Sequence, residues 1–139
     1  MSVETAAITE KDSVLEFFVQ ASNKHDFSLD ITLNLKGAMV TGTLVSAGEY
    51  FSTLSESFED EGDVSQKLSE ELTKAGEAVE GSSVKDAQFI HLKNARVYCG
   101  DTKPTPSKGS ILWRGKLTEV DGFFLGRISE SKSKDQQNG

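Results

Sequence analysis

Phe27-Ser-Leu-Asp-Ile-Thr-Leu-Asn-Leu-Lys-Gly-Ala-Met-Val-Thr-Gly-Thr-Leu-Val-Ser46 is the stretch whose reading decides the fold. Phe27, Leu29, Ile31, Leu33 and Leu35 alternate without a break against Ser28, Asp30, Thr32 and Asn34, the period of a strand with one face in a core and one in water. Lys36-Gly37 interrupts the alternation, and Ala38 to Val45 resumes as a run rich in β-branched residues. The pair therefore reads as a tight β-hairpin. Gly37 stands where the turn needs positive φ. Gly42 lies inside the second strand, where a missing side chain permits a bend or a close backbone approach.

Upstream, Val14, Phe17, Phe18 and Ala21 recur at helical spacing and predict an amphipathic helix, capped by Thr9 or Ser13 and ended by Asn23 and the cluster Lys24-His25-Asp26. His25 reads as a solvated helix-end group. Downstream, Ser46-Ala-Gly-Glu49 has the spacing of a capping box, so a helix is expected to begin there with Phe51, Leu54 and Phe58 on its apolar stripe. Glu59-Asp-Glu-Gly-Asp63 interrupts it. A second helix follows, capped by Asp63 with Gln66 and carrying Val64, Leu68, Leu72, Ala75 and Val79 as a narrow seam.

Beyond a Gly/Ser loop over residues 80–85, Phe89 to Cys99 reads as a long strand whose phase slips near Asn94. Gly100 to Gly109 holds both prolines and reads as a loop. Ser110 to Val120 reads as a strand, and Asp121-Gly122 is a two-residue turn signal, with Phe123 to Ile128 as the returning partner of a second hairpin. Trp113, Phe123 and Phe124 are expected in the core. Residues 1–9 and 129–139 have the composition of disordered ends.

These elements place the chain in the α+β class: a small bent antiparallel barrel or curled sheet of about five strands, with an N-terminal helix and a helical insertion over about 48–80. One domain over 1–139 suffices at this length.

The net charge of −7 is unevenly placed. Residues 49–80 hold ten acidic and two basic side chains, and the remainder holds twelve acidic and thirteen basic. An acidic arm on a near-neutral body argues against affinity for phosphate backbones and suits a basic protein partner. Apolar runs fall short of the roughly 20 residues a membrane span needs, and no export signal is legible, so a cytoplasmic location is expected. Cys99 is the single cysteine, which excludes an internal disulfide framework and a cysteine-based zinc site. No nucleophile, base and orienting group recur at a recognisable spacing around Cys99 or His91, so neither catalysis nor a cofactor is expected.

Two resemblances add to this reading. Gly37-x4-Gly42-Thr-Leu44, Leu92-Lys-Asn-Ala95 and Trp113-Arg-Gly115 resemble the two signatures of Sm-like proteins, which implies a helix followed by a five-stranded barrel. The resemblance implies RNA binding by an Asp and an Asn of the loop after the second strand, joined by the Arg-Gly of the second signature. Here Gly48 and Ser52, or Phe89 in an alignment from the third strand, stand at those places. Only Arg114-Gly115 remains, so nucleic acid is not expected as a partner, and an Sm-like nucleic-acid module stands as the alternative reading.

The second resemblance covers most of the chain. Phe17-Phe-Val-x-Ala-Ser-Asn-Lys-His25, Phe27-Ser-Leu-Asp-Ile31, Phe89-Ile-His-Leu-Lys-Asn94, Tyr98-Cys-Gly-Asp101, Thr105-Pro-Ser-Lys-Gly109, Trp113-Arg-Gly-Lys116 and Glu119-Val-Asp-Gly-Phe-Phe-Leu-Gly126 are similar, in order, to the gas vesicle accessory protein U (GvpU) family. That likeness implies a small cytoplasmic non-enzymatic protein, distinct from the main shell subunit, that promotes lateral clustering of gas vesicles. Shell or other gas vesicle proteins and further copies of the chain are the expected partners. The candidate contact residues are Val64, Leu68, Leu72 and Val79 of the seam, Glu59, Asp60 and Glu61 of the acidic run, and Trp113 and Arg114.

Overall fold

A computed structural model of the chain describes residues 10–59, 62–80, 87–100 and 103–128. Strands β1 (Leu29–Leu35) and β2 (Ala38–Val45) form the expected hairpin, in register from Leu29 opposite Leu44 to Leu35 opposite Ala38. Lys36 at φ 55° and Gly37 at φ 91° are both left-handed, the geometry of the two-residue turn whose twist matches a hairpin. Gly42 is the predicted close approach. A Cβ there would lie 3.1 Å from the Lys93 carbonyl oxygen and 3.2 Å from Ala95 Cα, beside a register shift between Thr41 and Thr43.

The sheet is antiparallel with order β4-β3-β2-β1-β5, where β3 is Phe89–Tyr98, β4 Ile111–Lys116 and β5 Gly122–Leu125. The phase slip near Asn94 is present: Asn94 has φ 54° and the pairing with β4 shifts between Leu92 and Ala95. The second hairpin is not. A strand is expected to run through to Val120 and turn at Asp121-Gly122, but β4 ends at Lys116, Leu117–Glu119 forms a 3-10 turn, and β4 and β5 lie on opposite edges. Leu117 is fully buried and Val120 nearly so, which turns the chain inward at the point where a hairpin would run straight.

This short connection forces the sheet to curl. Opposite edges of a flat five-stranded sheet stand about 19 Å apart. The link from Lys116 to Gly122, with a 3-10 turn inside it, reaches only about 16 Å. The sheet is nevertheless not closed, since no pairing joins β4 to β5. The curled-sheet form of the expected fold is the one found, and the barrel form is not.

Helix α1 (Ser13–His25) lies on the concave face. Its Leu15 and Val19 join Ile31, Leu33, Val40, Leu44, Ile90, Leu92, Ala95, Leu117 and Val120 in one core cluster. Each fully buried Leu or Ile there contributes about 1.5–3 kcal/mol relative to exposure. The helix is turned from the orientation its sequence suggests. Leu15, Val19 and Ser22 face the core, whereas Val14 and Phe17 are exposed. The N-cap is Asp12, whose carboxylate accepts from the N–H groups of Val14 and Leu15; Ser13 is the first helical residue, and Thr9 lies outside the described residues.

Helices α2 (Ala47–Glu56) and α3 (Asp63–Glu80) form the insertion and pack on each other. Ser46 caps α2 as expected, accepting from the Glu49 N–H at 3.0 Å. At α3, Gly62 takes the position expected for Asp63: its carbonyl accepts from the Gln66 N–H, and Asp63 is already helical. Residues 1–9, 81–86 and 129–139, where disordered ends and a loop are expected, lie outside the described residues.

Candidate functional site

Alternation along β3 places Ile90 and Leu92 in the core, so Phe89, His91 and Lys93 face the other side of the sheet. Arg114 and Lys116 of β4 share that side, because Arg114 pairs with His91 and Lys116 with Phe89. The first turn of α2 is laid against it. The Asn23 carboxamide at the end of α1 accepts from the Ala47 N–H at 2.9 Å and fixes where α2 begins. The Glu49 carboxylate, which a capping box would turn back to its own helix end, instead takes Lys93 Nζ at 3.1 Å. Tyr50 and Phe51 set their rings 4.6 Å and 6.0 Å from His91.

Arg114, like Lys116, is exposed. Its Nε donates to His91 Nε2 at 3.1 Å, and its guanidinium carbon lies 3.8 Å from the Phe89 ring centre and 5.6 Å from that of Phe51. A nitrogen that accepts cannot carry a proton, so the hydrogen bond assigns the His91 proton to Nδ1. Burial, reinforced by the Arg114 charge, lowers the His91 pKa to about 4, and the imidazole is neutral at pH 7. A neutral partner orients the guanidinium without cancelling its charge. Among the described residues no carboxylate pairs with Arg114.

Trp113 and Gly115 explain the neighbouring positions. The indole lies across Gly115, where an added Cβ would come within 2.8 Å of Cζ3 and 2.9 Å of Cζ2. Of the expected pair Trp113 and Arg114, Trp113 is half-buried against the core side and the arginine is exposed.

A second surface runs along α1 and β5. Phe17 packs edge-on to Phe18 at 6.0 Å, and Phe18 to Phe123 at 6.3 Å. Phe17 is 69% exposed, Leu125 55% and Phe124 46%, beside a strand that among the described residues pairs only with β1. Phe123 lies against the core as expected. Phe124, expected to be buried, points to the opposite side and into solvent.

The expected seam on α3 is rotated. Ser69 and Gly76 are buried and Leu72 and Ala75 half-buried, while Val64 is 73% and Leu68 44% exposed. Small residues let the two helices approach closely: a Cβ at Gly76 would meet Phe51 Cβ at 3.1 Å and the Gly48 carbonyl oxygen at 3.6 Å. Of the expected seam, then, Leu72 and Ala75 are half-buried and Val64 and Leu68 are exposed. Glu59 is exposed, whereas Asp60, Glu61 and the Val79 side chain lie outside what is described.

Sequence reasoning missed Phe17, Phe27, Phe124 and Leu125 as surface groups. The doubled aromatics Phe17-Phe18 and Phe123-Phe124 carried a signal, since adjacent residues on a strand, and nearly so on a helix, cannot share one buried face. Cys99 is exposed beyond the end of β3, roughly 25 Å along the strand from His91, which leaves the two without a shared site. Among the described residues, no group of three or more His, Cys, Asp and Glu side chains is placed to hold a metal ion. Nor is any described helix long and apolar enough to cross a membrane.

No curated protein and no solved structure matches the chain. A family model described as gas vesicle protein GvpU-like matches residues 12–128, which takes in every helix and strand described above. The chain belongs to the GvpU-like family of gas vesicle proteins.

Proposed function

We propose that this protein is a non-catalytic gas vesicle accessory that gathers vesicles in the cytoplasm through protein–protein contacts with shell or other gas vesicle proteins, and that it associates with further copies of itself. Bridging two vesicles needs at least two attachment points per particle. Individually weak contacts gain strength by effective concentration when many are displayed together. Self-association supplies that number from a small chain.

The observation that carries this reading is the β5 edge, which has no pairing partner on its outer side among the described residues and is flanked by exposed Phe17, Phe124 and Leu125. An exposed edge bordered by apolar side chains is a template for pairing with another chain. The −8 balance of residues 49–80 adds a long-range, salt-sensitive component.

The test is dynamic light scattering of purified vesicles with and without the protein, alongside sedimentation of the protein alone. The expected outcome is growth of the scattering species on addition, reduced by Leu125→Lys, whose side chain is exposed and whose replacement leaves the core intact. A monomeric protein that leaves the vesicle dispersion unchanged refutes the reading.

A further inference from the structure

We propose that Arg114 and Lys116, on the open edge strand β4, form a docking site for Glu70 and Glu77 of α3 in a second copy of the chain. The inference deepens the self-association reading above and rests on it.

The receptor side is built. Arg114 is held by one hydrogen bond and by the Phe89 and Phe51 rings, so its planar fork is oriented before any ligand arrives. With Nε used by His91, the two terminal nitrogens remain to take the two oxygens of one carboxylate, the bidentate geometry at which arginine exceeds lysine. Ordering Arg114 in the free protein removes most of the side-chain entropy that such a contact otherwise costs. Lys116, two residues along on the same side, is exposed and, like Arg114, has no acidic partner among the described residues. In a chain of net charge −7, two neighbouring cations with no acidic partner among the described residues, on a strand that there pairs only with β3, are complementary to the chain's own acidic arm.

The occupant side is equally specific. Of the acids on α3, Glu71 is paired with Lys74 at 3.7 Å. Glu70 and Glu77 are exposed, have no ion pair among the described residues, and lie two turns apart beside the seam that packs on α2. Their separation along the helix is about 10 Å, and that of Arg114 and Lys116 along the strand about 7 Å. Two long cationic side chains splay across that difference. Docked reciprocally, the two unlike patches close a two-fold dimer; docked in one direction only, they build a head-to-tail ring or an open chain.

The test uses the full chain in sedimentation equilibrium at low salt with three proteins: wild type, R114E/K116E and E70K/E77K. Each double variant is expected to self-associate about tenfold or more weakly than wild type, and an equimolar mixture of the two to recover association, because each supplies the charge the other has lost. The E70K/E77K protein guards against misfolding, since both positions are exposed on a helix away from the sheet. Arg114→Lys, which keeps the charge and loses the fork, is expected to fall between wild type and R114E/K116E.

The proposal is overturned if either double variant associates as wild type does, if the mixture is no stronger than its components, or if wild type is monomeric throughout. It is also overturned if R114E/K116E self-associates normally but no longer binds vesicles, which assigns the site to an acidic shell surface. Vesicle clustering measured in parallel separates the two readings. Wild type that clusters vesicles while the docking variants leave self-association untouched removes only the docking site.

Discussion

Lowering the pH from 7 to 5 should destabilise the fold through His91 in particular. The imidazole is 4% exposed, lies against Tyr50 and Phe51, and accepts a hydrogen bond from the Arg114 side chain. The charged groups around it are Arg114 on β4 and the ion pair of Lys93 on β3 with Glu49 on α2. Its folded pKa is about 4 against an ordinary 6.5, lowered first by burial and then by the Arg114 charge. Below 6.5 the unfolded chain binds a proton that the folded chain refuses, so this contribution is complete above pH 6.5, falls as pH drops, and levels off below about 4. At pH 5 the two pKa values imply a factor of about 30 in the folding equilibrium, or about 2 kcal/mol.

The assay is urea unfolding followed by the fluorescence of Trp113 at pH 7, 6 and 5, on wild type and on His91→Gln. Glutamine retains an acceptor for Arg114 but does not titrate. Carboxylates titrate in both proteins and cancel in the difference, so the wild type should lose about 2 kcal/mol more than the variant by pH 5. Equal pH slopes for the two proteins, or a His91 imidazole that titrates near 6.5 by NMR in the folded chain, would refute the assignment of a buried neutral acceptor.

Two further substitutions probe the supports of the site. Glu16 Oε2 accepts from Lys11 Nζ at 3.2 Å and from the Ala87 N–H at 3.0 Å, tying α1 to the segment that leads into β3. Burial works to raise its pKa, but the hydrogen bonds from Lys11 and Ala87 outweigh it and hold the carboxyl below its usual range. Glu16→Ala should cost about 1–3 kcal/mol in urea unfolding at pH 7; an unchanged midpoint counts against the tie. Gly76→Leu should force α3 off α2, where even a Cβ meets Phe51 at 3.1 Å, with a loss of about 1–3 kcal/mol in thermal melting. A variant that melts with wild type would mean the helices do not meet there.

How much of this was legible in advance depends on how local the signal is. The pairing and turn of the β1–β2 hairpin were legible, because period-two alternation and a Lys36-Gly37 turn are properties of adjacent residues. The Ser46 cap of α2 and the slip at Asn94 were legible for the same reason. The burial of the hairpin was not: Thr32, expected in water, is buried against Thr41 and the Gly126 carbonyl, and Phe27, expected in the core, precedes the strand and is exposed. The second hairpin was misread at Asp121-Gly122, since a turn signal says that the chain reverses but not which strand it meets. The seam on α3 and the face of α1 were misread by rotation. In α1 apolar residues occupy more than one stripe, and periodicity alone cannot choose between them; in α3 the buried positions are Ser69 and Gly76, which apolar periodicity does not register.

From its sequence this chain determined its class, the hairpin at its centre, the acidic arm, and its resemblance to the GvpU family, since each rests on composition or on neighbours along the chain. Only the tertiary structure decided that β5 joins β1, that Val64, Phe17 and Leu125 stay exposed, and that His91 turns Arg114 outward. Those outcomes depend on which surfaces meet across long separations. Leu117 and Val120 go into the core beneath a short link, the sheet curls to allow it, and the curl sets which side chains are left facing water.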